Sequence, residues 1–157
     1  VRYKRKRTLE FFPQERQWKR IDNNETGAMP TSEPLDDLSF LYFVRTLPLT
    51  VGETYTLDRY WKDEGNPVTV RVLRRDTVTV PAGRFPVIVV QPIIRTRGLF
   101  SEGGRAEVFF TDDDRRIPVQ IKTNLDVPLI KTMNMQLYSY TPGKRVAPAL
   151  TFSSASR

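Results

Sequence analysis

The chain of 157 residues has no cysteine and no histidine. Without cysteine there is no thiol nucleophile, no disulfide and no thiolate metal site. Without histidine there is no imidazole ligand and no histidine-based proton transfer. The missing cysteine does not name a compartment. It suits a reducing cytoplasm and equally a periplasmic protein that avoids oxidation. No window approaches the ~18–20 continuous apolar residues of a membrane-spanning helix, so an integral membrane protein of that kind is not expected. The chain starts at Val1, within what reads as a strand, and carries no leader peptide as given. The expectation is a mature or truncated chain whose earlier strands are missing.

What is present is basic charge, and it is local. The net charge is +7. Residues 1–20 hold eight basic and two acidic residues, whereas residues 21–157 hold seventeen and sixteen. The basicity is therefore one N-terminal stripe, not a property of the whole chain.

One stretch reads as a helix, LDDLSFLYFVRTLPL from Leu35 to Leu49. Asp36 or Asp37 can cap its start, because a short acceptor side chain satisfies free first-turn amides. Pro48 ends it by excluding the preceding residue from helical backbone. Phe40 to Val44 are five consecutive large apolar residues, which point nearly all round a helix axis. The expectation is a helix over residues 36–47 that is surrounded by protein.

The remainder alternates as strands. Residues 2–12 and Arg16–Ile21 form a hairpin about Pro13-Gln14-Glu15, and Asp22 to Pro34 is a loop rich in turn residues. Strands follow over Glu53–Trp61, Pro67–Arg75 and Asp76–Val80, with a tight turn at Pro81-Ala82-Gly83-Arg84. Phe85–Gln91 is apolar on both faces, which marks a central strand. Arg105–Thr111 and Ile117–Leu125 flank the charged turn Asp112–Arg116. The spacing places Ile117, Val119 and Ile121 inward with Gln120 and Lys122 outward. Pro128–Thr141 supplies a last strand. From Pro142 onward the Pro-, Ala- and Ser-rich tail reads as flexible.

The fold expected is mainly β: a curved antiparallel sheet, as a half-barrel or incomplete barrel, wrapped around one central α-helix. A flat sheet with the helix on one face is the alternative. Residues 1–141 form a single β-rich domain and residues 142–157 a tail.

Four pieces in this order resemble a family of bacterial exported proteins, catalogued as domain of unknown function 3108. They are DDLSFLYFVRTLPL with VGETYTL, VTVPAGRFPVIVVQP, RGLFSEGGRAEVFFT, and TDDDRRIPVQI; together they span roughly residues 36–125. KRKRTLEFFPQERQWKR fits the hairpin expected upstream. The resemblance corresponds to the C-terminal two thirds of the family. It implies an upstream signal peptide and further N-terminal strands, and a periplasmic or other cell-envelope location. It supplies no activity, ligand or catalytic residue.

The candidate sites each have a plainer reading. Arg2, Lys4, Arg5, Lys6 and Arg7 could contact phosphates or anionic headgroups. On a strand, however, they divide between two faces, and a solvated strand explains them. Nucleic acid is not expected, since no aromatic platforms interleave with the stripe. Asp112, Asp113 and Asp114 lack the spacing of a calcium loop and read as a hairpin turn balanced by Arg115 and Arg116. Gly98, Gly103 and Gly104 are not followed by a helix start, so they do not cradle phosphate. Leu99 and Phe100 could tip a mobile lip over a cavity, or simply be buried by a structural loop. Tyr42, Tyr55 and Trp61, with Leu99 and Phe100, could line a lipid-binding concavity; the simpler reading is core. Ser39 starts the helix but has no base. No cofactor or metal is expected.

The curved β pattern and the scarcity of reactive side chains, with the envelope location that the resemblance implies, lead to the expectation of a non-catalytic envelope protein that binds a lipid or another amphiphile in the concave face of the sheet. Two alternatives stand beside it: a structural module docking an envelope partner through a sheet edge, and a hydrolase using Asp or Glu. Filling of the curve by Phe40, Leu41, Phe43, Val44 and Leu47 separates the first from the second.

Overall fold

The computed structural model describes residues 7–96, 100, 106–123 and 132–143. It is mainly β, with two antiparallel sheets and one α-helix. The smaller sheet contains β1 (Leu9–Phe12), β2 (Gln17–Arg20) and β3 (Thr26–Ala28), in that order. The β1–β2 hairpin is the one expected, with Phe11 opposite Trp18. β3 falls where only a loop was expected. Its sequence, Thr-Gly-Ala, has little strand preference. Gly27 lies opposite Trp18, and a Cβ there would stand 2.6 Å from the indole. The close approach of Trp18 to bare backbone selects the strand, not the residues of β3 themselves.

Helix α1 spans Asp37–Val44. Asp36 caps it: its Oδ1 accepts from the Ser39 amide at 2.8 Å, and Ser39 Oγ accepts from the Asp36 amide at 2.8 Å. This reciprocal pair satisfies two of the free first-turn amides. The helix stops three residues earlier than expected. Thr46 Oγ1 donates to the Phe43 carbonyl at 2.8 Å, and the Thr46 and Leu47 amides make tight-turn bonds to Phe43 and Val44. A hydroxyl competing for the last-turn carbonyls ends the α-helical ladder before Pro48 can.

The helix is also not enclosed on all sides. Phe40, Leu41 and Val44 are buried, whereas Leu38 is 65% and Tyr42 62% exposed. The apolar run had implied full burial. The observed helix is one-sided in burial but not in composition.

The larger sheet is a meander of β4 (Thr54–Leu57), β5 (Val68–Val80), β6 (Gly83–Ile93), β7 (Glu107–Thr111), β8 (Pro118–Thr123) and β9 (Met133–Gln136). A single 3₁₀ turn, Asp63–Gly65, separates β4 from β5. β6 is central, as its two-sided apolarity predicts: Val87 to Val90 are all fully buried. Gly83 takes φ +133° at the β5–β6 turn, where residues other than glycine are strained.

Two irregularities in pairing decide which face each side chain meets. In β5, Val72 pairs with Val90 and Arg74 with Val89, so Leu73 is an extra residue. Before it, Val68, Val70 and Val72 enter one core; after it, Val78 and Val80 join the other. One inserted residue reverses the alternation. Uninterrupted pairing of Arg75 with Ile88 and Asp76 with Val87 makes one strand of the two segments read as Pro67–Arg75 and Asp76–Val80. In β8, Phe109 pairs with Gln120 but Phe110 pairs with Pro118, leaving Val119 extra. The sequence placed Ile117, Val119 and Ile121 together. The bulge instead puts Ile117 and Val119 in the second core and Ile121 against the first. Gln120, expected outward, is buried and donates from Nε2 to Asn134 Oδ1 at 2.9 Å.

The first core joins α1 (Phe40, Leu41, Val44) to Val68, Val70, Val72, Ile88, Val90, Val108 and Phe110. Side chains from β4 through β8 share it, with Tyr55 and Leu57 at one end and Ile121 at the other. The second core lies by the β5–β6 turn and holds Val80, Val87, Val89, Phe109, Ile117 and Val119. Leu137 draws it shut: its amide donates to Val119 O at 2.9 Å and its carbonyl accepts from the Ala82 amide at 3.0 Å. Among the described residues the strand order ends at β4 and β9, so the sheet is not a closed barrel.

Candidate functional site

Of the residues expected to line a ligand site, Tyr55, Trp61 and Phe100 share the first core and Tyr42 does not. Phe100 is buried in the first core, and Tyr55 and Trp61 pack partly buried against it. Tyr42 points away from that core to solvent, with the Arg45 guanidinium 5.5 Å from its ring centre. Leu99, like Gly98, Gly103 and Gly104, lies outside the described residues. So do Arg2, Lys4, Arg5 and Lys6; Arg7, the last of the basic stripe, is exposed.

Trp61 serves instead as a joint between the sheets. Phe11 and Trp18 of the small sheet meet its ring edge-on, at 5.6 and 5.4 Å between centres. Lys62 Nζ lies 4.8 Å from the Trp61 ring centre and 5.8 Å from that of Trp18. Aromatic edges against faces, with a cation above, hold two β layers without a continuous hydrogen-bond ladder.

The Asp112–Arg116 turn is held together through Asp113. Its Oδ1 accepts from Thr111 Oγ1 at 2.6 Å and from the Arg115 amide at 3.1 Å, and its Oδ2 accepts from the Arg115 guanidinium. Burial alone would raise the Asp113 pKa. The Thr111 and Arg115 bonds and the Arg115 charge outweigh burial and hold it below the ordinary value. Arg45 Nη2 donates to the Arg115 carbonyl at 2.6 Å, pinning this turn to the end of α1. Among the described residues no group of three or more acidic side chains could hold a metal ion. Ser39 Oγ is engaged by the helix cap.

One polar pair was not anticipated from sequence. Tyr60 Oη donates to Asp37 Oδ1 at 3.1 Å beneath the start of α1. Burial raises the Asp37 pKa, and the Asp36 charge adds to it, against the lowering effect of the Tyr60 bond. A carboxyl whose pKa rises on folding stabilises the fold in acid, and that contribution is lost as pH climbs through its folded value. Asp37→Asn keeps the acceptor oxygen and removes the charge. Its melting temperature is expected to exceed that of the parent at pH 7, with the gap closing below about pH 4. Paired thermal melts across this range test it; a variant that melts lower at neutral pH would reject a burial penalty at Asp37.

The feature best placed to meet another molecule is the β9 edge. No further strand of the described residues pairs with its outer side. From Met133 to Tyr140 the sequence MNMQLYSY has no charge, no proline and no glycine. Tyr138 is 81% exposed, and Met135 and Tyr140 are also exposed. The other edges among the described strands are guarded: β1 contains Glu10, β3 is three residues long, and β4 is bracketed by Glu53 and Asp58. Edge strands are ordinarily blunted in these ways. The signal was legible as an uncharged run in a chain that is 27% charged. That the run forms an edge was not.

A family profile described as "Protein of unknown function (DUF3108)" matches residues 1–135. The chain belongs to the DUF3108 family. The match extends beyond the 36–125 stretch on which the resemblance was read, and takes in the small sheet, α1 and the large sheet as far as Met135 in β9. No curated protein and no solved structure matches the chain. Among the described residues of this DUF3108 member, no helix is long and apolar enough to cross a membrane.

Proposed function

We propose that this DUF3108 protein is a non-catalytic cell-envelope module that docks a partner through the free edge of its large sheet. The observation that carries the reading is that the described residues between helix and sheet are closed to solvent. Phe40, Val44, Leu49, Val68, Val70, Ile88, Phe100 and Phe110 are all essentially inaccessible. These described side chains close that interface to solvent, and the reading assigns binding to the exposed edge of β9 instead. In this reading the sheet curves around α1 as a half-barrel. The single core shared by strands β4 to β8 supports that curvature. In the same reading the module sits in the cell envelope, as the resemblance to exported proteins implies.

A second reading, a bound amphiphile, has one observation in its favour. A shallow groove of about 220 Å³ runs between β8 and β9, lined by Pro118, Val119, Ile121, Met135 and Leu137 with Gln120 and Gln136. Pockets for small molecules generally enclose roughly 300–1,000 Å³, so the groove suits part of an acyl chain at most. A photo-cross-linker placed at Tyr138, with one at Glu10 as control, separates the two. Discrete protein adducts from position 138 only are expected. A stoichiometric lipid in native mass spectra, with no adduct at 138, would overturn the docking reading.

A further inference from the structure

We propose that Arg45 and Arg116, brought together where α1 ends against the β7–β8 turn, form a binding site for a phosphate group. The site is separate from the β9 edge and does not rest on docking there. Its occupant is a phosphate dianion, free or carried on a lipid headgroup.

The two side chains cross between the same two segments. Arg45 follows the last residue of α1, and its Nη2 donates to the Arg115 carbonyl at 2.6 Å. Arg116 reaches the other way, and its Nη2 donates to the Pro48 carbonyl at 3.4 Å. Each guanidinium thus spends one donor on a neutral acceptor, which leaves its charge uncompensated. Arg45 Nε and Arg116 Nη1 are enclosed and meet no acceptor at hydrogen-bond distance among the described residues.

The acids of the turn are committed elsewhere. Asp113 is held by Arg115, and Asp112 accepts from Arg75 Nε at 2.9 Å. Asp112 also stands 3.8 Å from Arg116 Nη1, too far for a hydrogen bond. Asp114 is exposed, and none of the three pairs with Arg45. Half-buried cations that lack a close counter-ion are costly. Guanidinium forks suit phosphate oxygens in geometry and charge. Two such cations call for close to two negative charges, which a phosphate monoester carries near neutral pH and a single carboxylate does not.

The backbone points the same way. Arg116 adopts φ +48°, a left-handed conformation that glycine takes freely and a long side chain takes at a cost. That strained position aims the Arg116 guanidinium between Pro48 and Asp112. The Arg116 side chain is 21% exposed and Arg45 is half-buried, so an anion can approach the pair from solvent.

Calorimetric titration of the whole chain with inorganic phosphate at low ionic strength tests the site, with phosphorus NMR linewidths as a second readout. Saturable binding is expected. Arg116→Gly removes the guanidinium and suits the positive φ, so it should keep the parent circular dichroism. It is expected to bind phosphate about tenfold more weakly, the loss of one hydrogen bond to a charged group. Arg45→Gln is expected to weaken binding to a similar extent. Asp112→Asn removes the carboxylate that competes for Arg116, and is expected to tighten binding severalfold. Arg71→Gln, on the sheet face away from α1, should bind like the parent. Flotation with phosphatidic acid vesicles separates the sources. Flotation that Arg116→Gly abolishes supports the site with a headgroup as its ligand, and phosphate binding without flotation supports it with the free ion. No saturable change in either readout overturns the site. So does weaker binding in Asp112→Asn. Equal losses in Arg71→Gln and Arg116→Gly would mean diffuse attraction to a basic chain and would overturn it as well.

Discussion

Phe40→Ala is expected to cost about 3–5 kcal/mol of unfolding free energy, the range for deleting a large aromatic side chain from a packed core. Phe40 is 1% exposed and lies where α1 meets Val68, Val70, Ile88 and Phe110. Removing its ring leaves a cavity between helix and sheet that rigid strands cannot collapse to fill. Single domains hold only about 5–15 kcal/mol in total, so the variant should unfold at much lower urea. Tyr42→Ala, two residues on, is expected to stay within about 0.5 kcal/mol, because the ring faces solvent. Urea titrations of both variants read the orientation of the helix. Equal losses would mean that α1 is enclosed on all sides, as its composition suggested.

Trp18→Ala is expected to release the small sheet from the large one. Trp18 is buried between Gly27 and Trp61, and Phe11 shares the same aromatic joint. A three-stranded sheet with strands of three and four residues has little stability of its own. Loss of the indole should lower the local opening free energy by about 3–5 kcal/mol. Amide hydrogen exchange should therefore accelerate sharply in Gln17–Arg20 and Thr26–Ala28, while the β5–β6 hairpin keeps its protection. Equal loss of protection in β5 and β6 would show that the two sheets form one cooperative unit and would reject the joint as a local device. Gly65, which packs directly against the Tyr60 ring, marks a second place where backbone and aromatic face meet. It lies in the turn just after Tyr60 and Trp61 and helps hold that segment in place.

Much of the architecture was legible in local chemistry. Asp36 announced the helix start because its carboxylate satisfies amides that any helix leaves free. Phe85–Gln91 announced a central strand because both of its faces are apolar. Asp112–Arg116 announced a turn, and Asp113 is indeed its hydrogen-bonded centre. These readings succeed because the cause lies within a few residues of the effect.

The candidate site was less legible. Tyr42, Tyr55, Trp61 and Phe100 were grouped by chemistry as large aromatic side chains. Packing then assigned them to solvent, to the rim of the first core, to the joint between sheets and to the core interior. Residue type measures the gain from burial but not which neighbour provides it. The Asp37–Tyr60 bond spans 23 positions, and no local pattern encodes such a distance.

The sequence by itself determined a mainly β chain with one capped helix, a central strand at Phe85–Gln91, no thiol or imidazole chemistry, and an uncharged run near its end. Tertiary structure decided the rest. It set the faces of Val78, Val80, Ile121 and Gln120 through single extra residues at Leu73 and Val119. It turned Thr26–Ala28 into a strand by laying Trp18 across Gly27. It left β9, Met133–Gln136, at an edge of the sheet formed by the described residues. The physical reason is common to all three: alternation and propensity are local, whereas strand register is settled by hydrogen bonds and contacts between segments far apart in the chain.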